Sequence, residues 1–329
     1  MKLKLVVAAL LVYIFPALLM LRSYKEEPVL QVHPSEPSQE QSLTVSVLQE
    51  GAVEKMDLEE YIFQVVLAEM PADFETEALK AQAVVARTYT CRRLLSPKHT
   101  DGQVCTDASC CQAFISEQDY LRNGGTEQSV EKVKRAVLDT AGQVLLYEDK
   151  LIEATYFSCS GGKTEDAQAV WGTAVPYLQS VESPGEEHAV HYTDTVIFTD
   201  EEFCEKLGIW PGGHPGSWIG SISYTNGGGV DTVEIGGTNF TGTQVRKLLG
   251  LRSTAFVITA AGERITVTTK GFGHRVGMSQ YGADAMAVQG ADHETILLYY
   301  YQGAVLSGDY LSELVDNNLE LGYNDVNKK

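Results

Sequence analysis

Two groups of residues in this chain have the types and spacing to do chemistry. The first is a single carboxylate, Glu69, in the segment Ala68-Glu69-Met70-Pro71. Leu58, Tyr61, Ile62, Val65 and Val66 recur at helical spacing and form one apolar face, which Glu69 continues. Met70-Pro71 ends that helix, because proline biases the residue before it away from the α region. A carboxylate on the buried side of a helix end is costly unless it is paired or protonated. Partial burial raises its pKa, which suits a general acid near neutral pH. Lys80 and Arg87 share one side of the next helix. They allow a second reading, in which Glu69 is a structural carboxylate paired with one of them. They themselves either line a groove or form a solvated face, and the pattern leaves these alternatives open.

The second group is His99, Cys105, Cys110 and Cys111, four soft ligands in one short loop. Zinc takes Cys and His in a tetrahedron, and a closed Cys3His set is a structural site. Disulfides among the six cysteines are the alternative, as are free thiols. Adjacent Cys110 and Cys111 cannot easily bond to each other, which weighs against disulfides. Cys91, Cys159 and Cys204 stay outside the set, with Cys91 as a substitute ligand.

The elements that must position these groups can be read in order. A strand covers about Leu43–Leu48, and the helix ending at Glu69 follows. A second helix runs from about Asp73 to about Leu95, with Asp73 as its cap, Glu75 and Glu77 in its first turn and Arg92 and Arg93 in its last. A polar helix spans about Glu127–Thr140. Val144–Tyr147 and Ile152–Phe157 read as a hairpin around Glu148-Asp149. Trp171–Val181 is extended, and Asp200–Leu207 is a short helix. A second hairpin, Ile219–Tyr224 with Val230–Ile235, closes on Asn226-Gly227-Gly228-Gly229. Thr241–Leu249 is an amphipathic helix, and Ala255–Thr259 with Arg264–Thr268 is a third hairpin. The glycine-rich stretch from Gly271 to Gly290 feeds a helix, and another covers His293–Tyr301. Helices first and antiparallel hairpins later predict an α+β fold.

The chain has 329 residues, 44% of them hydrophobic, and a net charge of −19. That is enough for a real core, and with no long basic cluster it argues against nucleic acid as a partner. Residues 1–22 carry Lys2 and Lys4 before an apolar run from Leu5 to Leu21 with no small-residue cleavage site after it. They are expected to form a single-pass signal anchor, with the bulk of the chain outside the cytoplasm. Residues 23–42, rich in Pro, Glu, Gln and Ser, form a linker. Residues 43–308 are expected to form the folded region that carries both groups, and 309–329 a polar acidic tail.

Several motifs occur together in order: AEMP, EALKAQAVVARTY, TYF-x-x-SGG, VWG-x-x-VPYLQSV, LLGLRSTAF, GFGHRVGMSQYGA and ILLYYYQG. With them the chain resembles the stage II sporulation protein D family of spore-forming bacteria, over roughly Leu43 to Gly308. The resemblance implies a membrane-anchored lytic transglycosylase acting on peptidoglycan glycan strands during engulfment of the forespore, with a preference for strands stripped of stem peptides. It implies that the glutamate of AEMP, here Glu69, is the catalytic acid. It also implies the stage II sporulation proteins P and M as partners, and a place in the space between the two membranes.

Under that resemblance the glycine-rich stretch becomes one wall of a groove. Gly271, Gly273 and Gly277 let backbone approach a sugar closely. His274, Ser279, Gln280 and Tyr281 offer hydrogen bonds and a ring, and Ser158, Ser160 and Gly161 form the opposite wall. Each has a plainer alternative: a core histidine bonded to backbone, a core tyrosine, a glycine turn. Trp171 and Tyr177 are either sugar platforms or buried aromatics. Some clostridial relatives resemble the cysteine loop, with zinc held by His, Cys, His and Cys; Cys110 stands where that pattern has its second His. Two other functions compete. One is a non-catalytic activator of a cell-wall amidase, and the other a zinc hydrolase centred on Cys105, which the cysteine-rich ligand set disfavours.

Overall fold

The computed structural model describes residues 43–312. The expected anchor at 1–22, the linker at 23–42 and the tail beyond Ser312 lie outside the described residues. Among the described residues no helix is long and apolar enough to cross a membrane.

Strands β1 (Thr44–Gln49) and β2 (Ala52–Asp57) form an antiparallel hairpin, and β3 (Val104–Cys105) adds to β1 in parallel. Helix α1 (Leu58–Glu69) starts on Asp57, whose side chain accepts from the Glu59 and Glu60 N–H groups. It stops where Met70 turns extended ahead of Pro71. Helix α2 (Thr76–Leu95) is the core's axis: its alanines and valines let its neighbours approach closely on every side. These neighbours are α1, α4 (Glu127–Asp139), which follows the short α3 (Glu117–Arg122), and two later helices.

Strands β4 (Val144–Tyr147) and β5 (Lys150–Leu151) pair around Glu148 and Asp149, both with positive φ. The Ile152 N–H still meets the Leu145 carbonyl at 3.2 Å, but the rest of the expected strand, to Phe157, does not continue that hairpin. Arg92 and Arg93 hold Glu153, and β6 (Tyr156–Phe157) turns away to pair elsewhere. Ala167–Trp171 (α5), expected in part as extended chain, is a short helix capped by Asp166.

A second core follows. Strand β7 (Thr193–Thr199) leads into α6 (Asp200–Leu207), then β8 (Ile219–Tyr224), β9 (Val230–Ile235) and β10 (Thr238–Thr241) form one antiparallel sheet. After α7 (Gly242–Leu249), strands β11 (Ala255–Ala261) and β12 (Arg264–Lys270) complete a sheet of order β11-β12-β7. Phe198, Phe203, Trp218, Val233, Val245, Phe256 and Val267 close this core. The chain then returns. Strand β13 (Met278–Ser279) pairs in parallel with β6, and α8 (Gln280–Val288) and α9 (His293–Tyr300) pack on α2. Strand β14 (Val305–Ser307) adds to β4. The fold is α+β with antiparallel sheets, as expected, but β2, β3, β7, β10, β13 and β14 were not anticipated. Asp73 does not cap α2. The helix starts at Thr76, because the Glu75 N–H is taken by the Asp284 carboxylate at 2.7 Å.

Candidate active site

The C-terminal end of α1 and the β6–β13 pair meet at a groove, and Glu69 sits on its floor. One hollow, of about 440 Å³, is lined by Glu69, Tyr89, Gln112, Tyr156, Ser158, Phe272, His274 and Gln280 among others. A second, of about 370 Å³, is lined by Glu69, Pro71, Tyr120, Ser158, Gln280 and Tyr281 among others. They share Glu69, Ser158 and Gln280, so the carboxylate lies on the divide between two binding spaces. Among the described residues lining either hollow, Glu69 is the only carboxylate.

Glu69 Oε1 accepts the Ala113 N–H at 2.6 Å, and the Tyr156 and Gln280 side chains stand near the carboxylate. Burial pushes its pKa up, and these three polar groups only partly oppose this. No cation pairs with it among the described residues. The alternative of a carboxylate held by Lys80 or Arg87 is therefore not what the fold builds. Arg87 is 0% exposed and clamps Glu59 through Nε at 2.8 Å and a terminal nitrogen at 2.6 Å. It also donates to the Val137 and Gln143 carbonyls. Lys80 pairs with Glu77 at 2.9 Å and Asp139 at 3.6 Å. Both cations were candidates to line a groove and bind substrate, and neither lines these hollows. Helix α2 turns that flank toward α4, away from Glu69.

The other expected wall residues divide. Ser158, His274 and Gln280 line the hollows, and Tyr281 lines the second one, edge-on to Phe74 at 4.9 Å. Ser160, Gly161 and Ser279 do not. Ser160 is fully buried, and its N–H, its hydroxyl and the Gly161 N–H all converge on Glu186 Oε2. A Cβ on Gly161 would lie 2.8 Å from the Gly271 nitrogen, so that glycine exists to let two backbones touch. Ser279 caps α8 by accepting the Gly282 N–H at 3.2 Å. These three shape the walls from behind.

His274 makes the backbone bond of its plainer reading while facing the groove: its Nδ1 accepts the Val276 N–H at 3.1 Å, and the residue lines the hollow. Burial and the nearby Arg246 charge push its pKa down to about 4, so the ring is neutral at physiological pH. It lies between the rings of Phe157 and Trp171, with Trp171 45% exposed beside it. Tyr177 is turned inward, packed on Tyr147 and accepting the Glu153 N–H.

The loop cysteines converge as expected. Ligand atoms of His99, Cys105, Cys110 and Cys111 all lie within 4.8 Å of one another. His99 Nε2 is 3.4 Å from Cys111 Sγ and 3.8 Å from Cys110 Sγ. Tetrahedral edges built from ordinary Zn–S and Zn–N bonds are about 3.5–3.8 Å, so the set could hold a metal ion. Cys91 is buried apart from it, and every cysteine is unpaired. The Cys110 and Cys111 N–H groups both bond the Asp107 carbonyl, and Lys98 donates to the Cys110 carbonyl. The loop is thereby wound around the cluster.

Sequence reading named Gln280 but missed the other residues around Glu69. Tyr156 donates to Gln112 Oε1 at 3.2 Å, and Gln112 in turn donates to Thr90 Oγ1 at 3.0 Å. Tyr156 stands inside the TYF motif, which marked the place without revealing its partner. Gln112 and Ala113 follow the last cysteine and carry no pattern of their own.

Residues 48–147 match the family model described as Stage II sporulation protein. The chain is 43% identical over 262 residues to Stage II sporulation protein D of Bacillus subtilis (strain 168), covering 78% of this chain and 76% of that one. It is 42% identical to the protein of the same name from Bacillus amyloliquefaciens, with the same coverage. A protein named Amidase enhancer from Bacillus subtilis (strain 168) is 27% identical over 74% of this chain and 40% of its own length.

Proposed function

The chain belongs to the stage II sporulation protein D family, and on that premise we propose that it is a lytic transglycosylase that cleaves peptidoglycan glycan strands during forespore engulfment. The observation that carries this reading is a groove with one carboxylate on its floor, desolvated and paired with no cation among the described residues. Hydrolytic glycosidases ordinarily need two carboxyl groups flanking the bond. A lytic transglycosylase needs one. Protonated Glu69 gives its proton to the glycosidic oxygen as the bond to C1 of N-acetylmuramic acid breaks. The resulting carboxylate then takes the proton of the C6 hydroxyl as that oxygen attacks C1. The product is a 1,6-anhydro sugar, and Glu69 is protonated again. The second step is intramolecular, which supplies a high effective molarity.

The hollows on either side of Glu69 suit sugars on both sides of the scissile bond. Trp171 and Tyr281 offer rings to stack on, and the neutral His274 helps orient the sugar. The preferred strands would be those stripped of stem peptides. Zinc on His99, Cys105, Cys110 and Cys111 would fill a closed tetrahedron and stiffen the loop. In the cell, residues 1–22 would anchor the chain in the membrane, with the catalytic region outside the cytoplasm and the stage II sporulation proteins P and M beside it.

The name of the 27% identical relative favours a second reading, a glycan-binding activator of a cell-wall amidase. One experiment separates the two. Glycan strands lacking stem peptides are incubated with the protein and with Glu69→Ala, and the products are read by mass spectrometry. We expect soluble fragments ending in 1,6-anhydro-N-acetylmuramic acid from the parent and none from the variant. Reducing ends instead would mean a water-using hydrolase. Binding without cleavage would favour the activator.

A further inference from the structure

Two rings that line the hollow at Glu69 each carry a guanidinium. Arg93 lies over Tyr89 and Arg252 over Phe272, each with its guanidinium carbon 4.7 Å from the ring centre. The two are differently committed. Arg93 is 17% exposed and bound to Glu153, a carboxylate it shares with Arg92. Arg252 is 36% exposed, and its acidic neighbour is Asp194, met by Nε at 3.5 Å. Neither terminal nitrogen of Arg252 has a hydrogen-bond partner among the described residues.

The position of this free fork is fixed. The Arg252 carbonyl accepts the Gly273 N–H at 3.1 Å, which ties its backbone to the residue after Phe272. The Phe272 N–H donates to the Cys159 carbonyl at 2.8 Å, and His191 packs edge-on against the ring at 5.3 Å. The Phe272 ring lines the hollow, and the guanidinium is thus held in register over that ring. A planar guanidinium resting on an aromatic face, with two donors unused, is built to take a carboxylate by two parallel hydrogen bonds. The chain as a whole carries a charge of −19 and repels anions. An anionic ligand in this groove therefore needs a local cation to receive it.

We propose that Arg252 is a specificity-determining residue whose free fork binds the lactyl carboxylate of an N-acetylmuramic acid ring. This rests on the glycan-cleaving reading of the groove. When a stem peptide is attached, the lactyl group is a neutral amide; when the peptide is removed, it is an anion. Only the anion offers the two acceptors that a guanidinium fork matches. Arg252 would thus select strands by whether their peptides are gone.

The test measures binding rather than cleavage, using the full chain carrying Glu69→Gln. One preparation of glycan strands keeps free lactyl carboxylates, and a second has them converted to methylamides. The carboxylate strands should bind about tenfold tighter, with the difference shrinking as salt is raised. Adding Arg252→Gln should erase the difference. Asp194→Asn, which removes the competing acid, should tighten binding to the carboxylate strands alone. That gain cannot come from misfolding. The proposal is overturned if Arg252→Gln keeps the preference, if Asp194→Asn fails to tighten binding, or if the parent binds both preparations equally. Equal binding would leave the cleavage reading standing, whereas no binding to either would sink both.

Discussion

The backbone N–H of Ala113 donates to Oε1 of Glu69 at 2.6 Å. Ala113 lies two residues beyond Cys111, whose sulfur is in contact with His99. The segment that leaves the His/Cys cluster therefore ends on the carboxylate. Gln112, between them, is tied to Thr90 and Tyr156. The cluster and the proposed acid are two ends of one short piece of chain, so disorder in the loop must reach the site.

Metal removal should accordingly act through the fold. Chelation, or Cys105→Ser, is expected to lower the thermal midpoint by several degrees and to reduce glycan cleavage in parallel. Melting curves with and without chelator, alongside cleavage rates, check this. Loss of activity at an unchanged midpoint would mean that the metal takes part in the reaction.

Glu69→Gln should reduce cleavage by about 10²–10⁴-fold, the usual worth of a positioned general acid. Its effect on stability has a definite sign. The Glu69 pKa is raised in the folded protein, so the folded state holds this proton more tightly than the unfolded chain. That contribution is fully present below the ordinary value of 4.5 and is lost as pH rises through the raised folded value. The neutral glutamine has no such loss. The variant's thermal midpoint should therefore gain on the parent's between pH 4 and pH 8, and equal differences at both would contradict the burial argument.

Arg87→Ala should destabilise the fold rather than weaken substrate binding. It would strand Glu59 in a site whose other partner, the Gly142 N–H, lies at 3.3 Å. Breaking a buried pair costs about 3–5 kcal/mol, and the lower end applies because Glu59 is 25% exposed. Denaturant titration gives the loss. A variant that folds normally but shows a raised KM would return Arg87 to the groove.

Gly277→Ala tests the return strand. Gly277 has a φ of +83°, and a Cβ there would lie 2.1 Å from the Thr155 carbonyl, next to Tyr156. A clash against backbone at a left-handed position should cost about 3 kcal/mol or more. Gly212→Ala, with nothing within 4 Å, should stay within about 0.5 kcal/mol. Equal stability of the two variants would refute this account of the β6–β13 crossing.

Much of the molecule follows from local pattern. The helical spacing from Leu58 to Val66 and the proline at 71 define α1 and leave Glu69 at its end. Turn chemistry marks the hairpins at Asn226–Gly229 and near Gly262, and cysteine spacing marks the cluster. These are short-range consequences of backbone sterics, side-chain periodicity and ligand chemistry, all of which act within a few residues.

Partnership across the fold is a different matter. Lys80 and Arg87 had the right types and the right helix flank to meet Glu69. Which way α2 faces is decided by burial of its apolar residues against α1, α4, α8 and α9 together, and that rotation gives Arg87 to Glu59. Glu69 is left instead to the Ala113 N–H, with Tyr156 and Gln280 beside it, groups from three distant segments. Its raised pKa comes from that desolvation, and so does the separation of groove-lining Ser158 from buried Ser160, two residues away. The sequence by itself marked the candidate acid, the candidate ligand set and the elements that carry them. Only tertiary packing decided what surrounds that carboxylate, because desolvation and pairing are summed over neighbours that the chain brings together from far apart.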